Sequence, residues 1–420
     1  MDVNIYILET LKVLFYTSFV WFPALLIFAI WEIWLIYKRS IWLSDSNPKE
    51  AKRSILLEIK APKDVFKSPK AMEFFINGLY KTDDEDTNYN IYWNGQLRPN
   101  FSLEIVSIDG TVHFYVRCPR WLKPPIESNL YSQYPGIEVF EVPDYTLPVK
   151  YDPDTQGLWG TEFKLRKEDV FPIKTYVDFG MDKDPKEELK IDPLTPFIEY
   201  IGQWGRGHQM WLQILVRAHK NEHPDPTDPK KDLRWGEEAK KQVEKIINEA
   251  RGEHDKDKKL IPGTSRLTTE DEKQTIEAIA RKQSKNAYDV GMRFIYTAPK
   301  DVFVVSNLTG AVGALMNFSH ASNLNGLSTD RATGSKHVKT IYEFWPFSLK
   351  KKKDVNDEKK AILDAYKHRG YFYNEYKQPY FILNSEELAT LFHLPGQVSS
   401  TPTYERIEAK KAEAPANLPV

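Results

Sequence analysis

Phe101–Arg117 reads FSLEIVSIDGTVHFYVR, two alternating apolar runs on either side of Ile108-Asp109-Gly110. A period of two predicts two half-buried strands, and Asp-Gly between them signals a tight hairpin, because its turn residues need positive φ. Working outward, Ser54–Ala61 (SILLEIKA) predicts a preceding strand. Ser68-Pro69 then opens a helix, AMEFFINGLY, with apolar residues at helical spacing. Downstream, a short helix over Ile126–Tyr134 stops at Pro135-Gly136, and Ile137–Val142 (IEVFEV) supplies a last strand. The order β-α-β-β-α-β is that of the ferredoxin-like split βαβ motif.

A second pass of similar order follows. Strands are expected over Leu158–Leu165, His208–Arg217, Val290–Thr297 and near Val338–Phe347, with helices over Pro193–Gln203 and about Val304–Asn317. A charged insertion, Asn221–Lys285, carries two predicted helices, Trp235–Ala250 and Thr269–Lys285, on either side of the loop EHDKDKKLIPGTS. Ala61-Pro62-Lys63-Asp64-Val65-Phe66 recurs as Ala298-Pro299-Lys300-Asp301-Val302-Phe303. Shared turn chemistry (Pro ending a strand, Asp capping a helix) and duplication both account for the repeat. Past Phe347 come Lys350–Lys353, read as a solvated loop, a helix near Glu358–Arg369, and an extended end.

Val13–Tyr37 carries one charge, Glu32. As a helix it spans roughly 37 Å, enough for a ~30 Å hydrocarbon core. Lys12 stands before it, whereas Lys38, Arg39, Lys49, Lys52 and Arg53 follow. The positive-inside bias therefore places the N-terminus outside and the bulk of the chain in the cytoplasm. The expected fold class is α+β: an N-terminal transmembrane helix, then two ferredoxin-like (βαββαβ) units, the second with a helical insertion. The expected division is an anchor at 1–43, a first unit at 44–150, a second at 151–348 with its insertion at about 221–285, and a C-terminal helix and extended segment at 349–420.

The chain has 58 Lys and Arg against 59 Asp and Glu, so no global charge points to a nucleic acid or an acidic substrate. Its single cysteine, Cys118, excludes an intramolecular disulfide and reads as a small packed residue. The phosphate-cradling G-x-x-x-x-G-K-[ST] loop is absent, as are G-x-S-x-G, H-E-x-x-H and G-x-G-x-x-G. His219 and His223 stand four apart in HKNEHPDPTDPKKD and read as solvated loop histidines, not a metal pair. The acidic run Asp83–Asp86 does not match a calcium loop. His113, Phe114 and Tyr115 share a strand; base stacking is conceivable there, but alternating aromatics on such a strand read as core. No catalytic residue, metal ligand or cofactor is expected, and the chain is read as a non-enzyme.

The stretches IVSIDGTVHFYVRCP, ESNLYSQYPGIEVFEVPDY, FPIKTY and VGMRFIYTAPKDVF resemble the membrane-proximal N-terminal region of bacterial type IV secretion- and conjugation-like ATPases of the HerA–FtsK superfamily. The most specific piece is Asn384–Gly396 (NSEELATLFHLPG), followed by Ala416-Asn417-Leu418-Pro419; in longer relatives a strand and a Walker A loop come soon after. The P-loop motor itself is absent from this sequence, so ATP hydrolysis carries over to none of its residues. The resemblance implies a non-enzymatic component, anchored in the inner membrane by one span, that docks a separately encoded P-loop ATPase and self-associates into a ring. Nucleic acid would be contacted only indirectly. Glu386, Glu387, Leu388, Leu391, Phe392, Pro395, Asn417 and Pro419 are the expected partner-docking residues, with Glu386–Phe392 as a short amphipathic helix that packs on a partner, on its own domain, or on both. The alternatives are a stand-alone envelope scaffold and a membrane-tethered nucleic-acid binder.

Overall fold

The computed structural model describes residues 3–43, 54–62, 67–82, 97–182, 192–220, 223–224, 232–233, 235–251, 268–320, 323–330, 332–333, 343–344, 347–348, 354–373 and 376–395. Asp83–Asp86, the loop after Arg251, Lys350–Lys353, Asn417 and Pro419 lie outside the described residues, as does most of the first copy of the repeated hexamer.

The chain opens with α1 (Val3–Leu43). Within it Phe15–Leu35 is long and apolar enough to cross a membrane, by length and composition. Its large side chains, among them Phe15, Phe19, Trp21, Phe22 and Ile27, are exposed. Pro23 sits inside the helix.

The body is mixed α+β around one antiparallel sheet. Its first pass comprises β1 (Ser54–Lys60), α2 (Pro69–Asn77), β2 (Asn100–Ile108), β3 (Thr111–Pro119), α3 (Lys123–Gln133) and β4 (Glu138–Val142). The second comprises β5 (Gln156–Leu165), α4 (Thr195–Gly202), β6 (Gln209–Ala218), the inserted helices α5 (Trp235–Arg251) and α6 (Glu270–Gln283), β7 (Ala287–Pro299), α7 (Asn307–Leu315) and β8 (Leu327–Asp330). After these come α8 (Val355–Lys367), β9 (Phe381–Asn384) and α9 (Ser385–Leu391).

Strand order is β8-β5-β7-β6-β2-β3-β1-β4, with β9 added to β7. Each pass thus runs fourth–first–third–second, and the two passes meet where β2 pairs with β6, Phe101 opposite Val216 and Ile108 opposite Gln209. The predicted hairpin is present: Asp109 (φ 53°) and Gly110 (φ 91°) make the turn between β2 and β3. One expectation needs correction. The fourth strand of the second pass is Leu327–Asp330, which pairs with β5. Near Val338–Phe347, the described pieces Glu343–Phe344 and Phe347–Ser348 pair only with each other.

The two faces of the sheet differ in chemistry. One is apolar: Leu57, Leu103, Phe114, Leu212 and Phe294 pack beneath α2, α3, α4 and α7 through Phe75, Ile126, Phe197 and Leu308. Each such side chain contributes about 1.5–3 kcal/mol. The opposite face alternates apolar residues (Leu56, Val106, Tyr115, Trp211, Ile295) with buried polar ones (Ser102, Glu104, Gln213, Arg293), under a cover of α8 and the 142–151 segment. Phe114 is therefore core on one face, while Tyr115 stacks under Tyr145 on the other (5.2 Å, 17°). Cys118 is buried, and burial pushes its thiol up to about 12.

Candidate functional site

The expected docking segment is built into the body. Asn384 ends β9, and its side chain accepts from the Glu387 N–H (2.8 Å) while Glu387 Oε2 accepts from the Asn384 N–H (2.9 Å). This reciprocal cap starts a helix only seven residues long. Every residue of α9 is buried, and Leu388, Leu391, Phe392 and Leu394 join the main apolar core. The helix lies against α2, and Phe392 meets Phe114 edge-on at 5.6 Å. Pro395 is buried as well.

The two glutamates sit among cations brought from α6 and its end. Glu387 Oε2 lies 3.0 Å from Lys282 Nζ, both side chains being fully buried. Lys282 also donates to the Ile382 carbonyl (3.0 Å), and Glu387 Oε1 accepts from the Ile173 N–H (2.9 Å). Burial outweighs Lys282 and holds the Glu387 carboxyl above its ordinary range. Glu386 accepts from Thr175 (2.5 Å) and pairs with Arg281 (3.3 Å) and Lys285 (2.8 Å). Lys285 bridges on to Glu73 of α2 (2.7 Å), which also accepts from Tyr176 (2.6 Å) and Ser385 (3.1 Å). Burial alone would lower the Lys285 ammonium, yet Glu386 and Glu73 hold it above its usual value. Thr390 accepts from the Tyr176 N–H (2.9 Å), and His393 pairs with Asp192 (3.1 Å). The segment is thereby clamped to four separate stretches of chain.

A second polar cluster lies on the opposite face. Arg369, in the left-handed region (φ 50°) just past α8, forks onto Glu104 through Nε (3.0 Å) and Nη2 (3.1 Å) and pairs with Asp144. Glu104 also accepts from Ser102 (2.7 Å), Gln213 (3.0 Å) and Tyr145 (2.8 Å). Burial would raise the Glu104 and Asp144 carboxyls, but Arg369 brings both below their usual values. Arg293 holds the end of α8 by donating to the Ala365 (2.8 Å) and Gly370 (2.9 Å) carbonyls, and it pairs with Glu162 (3.2 Å). Further along, Asp289 pairs with Arg217 (2.8 Å) and His219 (2.6 Å). His219 is buried there, which corrects its reading as a solvated loop histidine.

Among the described residues no group of three or more His, Cys, Asp or Glu side chains could hold a metal ion. The buried charges instead join distant stretches of chain. Sequence reasoning singled out Glu386 and Glu387 but missed Lys282, Lys285, Glu73, Glu104 and Arg369. The cap is legible in the Asn384-to-Glu387 spacing, whereas Arg369 and Glu104 are 265 residues apart with no local signal.

No curated protein matches the chain. A family model described as Domain of unknown function (DUF8128) matches residues 44–407, and the chain belongs to that family.

Proposed function

We propose that this chain is a non-enzymatic, single-pass membrane component of a type IV secretion- or conjugation-like translocation system, whose body docks a P-loop ATPase at the cytoplasmic face of the bacterial inner membrane. In this reading α1 is the anchor, with its N-terminus outside because Lys38, Arg39, Lys49, Lys52 and Arg53 follow the apolar stretch. Each half of the sheet is a ferredoxin-like unit, a reading supported by the fourth–first–third–second strand order repeated in both halves.

The observation that carries the proposal is the placement of Asn384–Pro395. This segment resembles the lead-in to a secretion motor, and it is buried in the body from Asn384 to Pro395. In this reading α9, packed against α2 and preceded by a strand of the sheet, ties that lead-in to the body. Subunits tethered by one span each would assemble into a ring even through weak contacts. The test is affinity purification of the full chain from its native membranes in mild detergent, followed by identification of co-purifying proteins. A P-loop ATPase or secretion-channel component is expected. Recovery of unrelated proteins alone would overturn the proposal.

A further inference from the structure

Strand β3 ends at Pro119, which pairs with Ser54, the first residue of β1. A 3-10 turn, Arg120–Leu122, follows at once. Leu122 is drawn into the apolar core, and the Trp121 ring is left facing outward, 52% exposed. Cations rim that ring. Lys81 Nζ stands 4.9 Å from its centroid, and Arg120 Nη2 (2.7 Å) and Lys123 Nζ (3.0 Å) both pair with Glu141. With Glu127, 4.0 Å from Lys123, the rim sets three positive charges against two negative ones.

This patch lies at the end of the sheet where the chain arrives from α1. Ten residues separate Leu43 from Ser54, so the start of β1 stands no farther than roughly 40 Å from the end of that helix. The sequence Lys38–Arg53 carries Lys38, Arg39, Lys49, Lys52 and Arg53 against only Asp45 and Glu50. Basic residues next to a span attract anionic headgroups, and an indole suits the same boundary because its ring is apolar and its N–H is a donor. The far end of the sheet differs. Val302, Val304 and Val305 are exposed there, just past the end of β7 at Pro299, without a basic rim of this kind among the described residues. The registers Thr297 to Gln209 and Gln209 to Ile108 put that end beside the Asp109-Gly110 hairpin, opposite Pro119.

We propose that the Arg120–Lys123 corner, with Lys81, is a membrane-contact site of the body: Trp121 enters the headgroup layer of an anionic bilayer, and Lys81, Arg120 and Lys123 meet its lipid phosphates. The inference rests on the reading of α1 as a span. The short connection holds the patch at a high effective concentration over the bilayer, so a weak contact suffices to dock it. Docked in this way, the body turns the start of β1 toward the lipid and the Asp109-Gly110 hairpin away from it.

The test uses the full chain reconstituted into vesicles of phosphatidylcholine and phosphatidylglycerol, with acyl-chain spin-labelled lipids as quenchers. A small apolar fluorophore is attached through Trp121→Cys, Val305→Cys or Leu25→Cys, one variant at a time, all three side chains being exposed. Cys118 is buried and its thiol is pushed up to about 12, so it stays unlabelled. Quenching at position 121 is expected to exceed that at position 305 severalfold, and to fall toward the position 305 level in phosphatidylcholine alone. Adding Arg120→Gln should lower the ratio of docked to undocked body about fivefold. A quenched label at position 25, with position 121 no more quenched than position 305, would overturn the contact and leave the span standing. An unquenched label at position 25 would overturn the span and the contact together. Quenching at position 121 that is unchanged in phosphatidylcholine alone would overturn the assignment to anionic lipid.

Discussion

Replacing Lys282 by methionine isolates what holds α9 in place. The substitution keeps the stem's volume but removes the ammonium 3.0 Å from Glu387 Oε2 and the donor to the Ile382 carbonyl. Both partners are fully buried, so Glu387 is left as an uncompensated interior carboxylate; breaking a buried pair in this way costs about 3–5 kcal/mol. If α9 opens locally, hydrogen exchange of the Phe381–Leu391 amides accelerates on the order of 10²- to 10³-fold. Glu387→Gln added to Lys282→Met should recover more than half of the loss. The glutamine oxygen still accepts from one of the two N–H groups that the carboxylate served, Ile173 or Asn384, and the stranded charge is gone. The pH dependence has a definite sign. With Lys282 gone, the Glu387 carboxyl, already raised by burial, rises further, so the folded state binds a proton more tightly than the unfolded state. The penalty of Lys282→Met therefore shrinks as pH falls below that raised value and is full above it. Exchange mass spectrometry on the full chain in detergent reads all of this. An acceleration of less than about tenfold at neutral pH, or a double variant no better than the single one, would refute the reasoning.

Two further outcomes follow. Glu104 and Asp144 have folded values below their ordinary ones, so the stability they contribute is present above the carboxylate range and is lost as pH falls through their folded values. The destabilisation caused by Arg369→Leu, about 3–5 kcal/mol at neutral pH by denaturant unfolding, should accordingly narrow on acidification. Gly110→Ala forces a Cβ to within 2.9 Å of the Trp204 carbonyl at φ +91°, and should cost about 1–3 kcal/mol in the same assay; no measurable loss would contradict the turn geometry.

The elements written by local pattern were legible. The Asp109-Gly110 hairpin, the Ser68-Pro69 helix start and the two inserted helices all lie where periodicity and turn chemistry put them. What escaped depends on distant partners. Leu327-Ser328-Thr329-Asp330 is too short and polar to look like a strand, and its pairing with β5 is what makes it one. Glu104 alternates with leucine and isoleucine and so resembles a solvent-facing position, but α8 closes over it with Arg369. His219 looked solvated among charged neighbours, yet Asp289, seventy residues on, buries it. Glu386–Phe392 read as a short amphipathic helix packing on a partner, on its own domain, or on both; what the local pattern did not show is that cations from α6 and Lys285 let both carboxylates lie inside.

The most direct measurement of the central claim is photo-crosslinking from the end of the chain in native membranes. A photoreactive residue placed at Asn417 or Pro419 should crosslink the full-length protein to a P-loop ATPase, identified by mass spectrometry of the adduct. Adducts confined to lipid, to a second copy of this chain or to proteins without a P-loop would contradict the docking role.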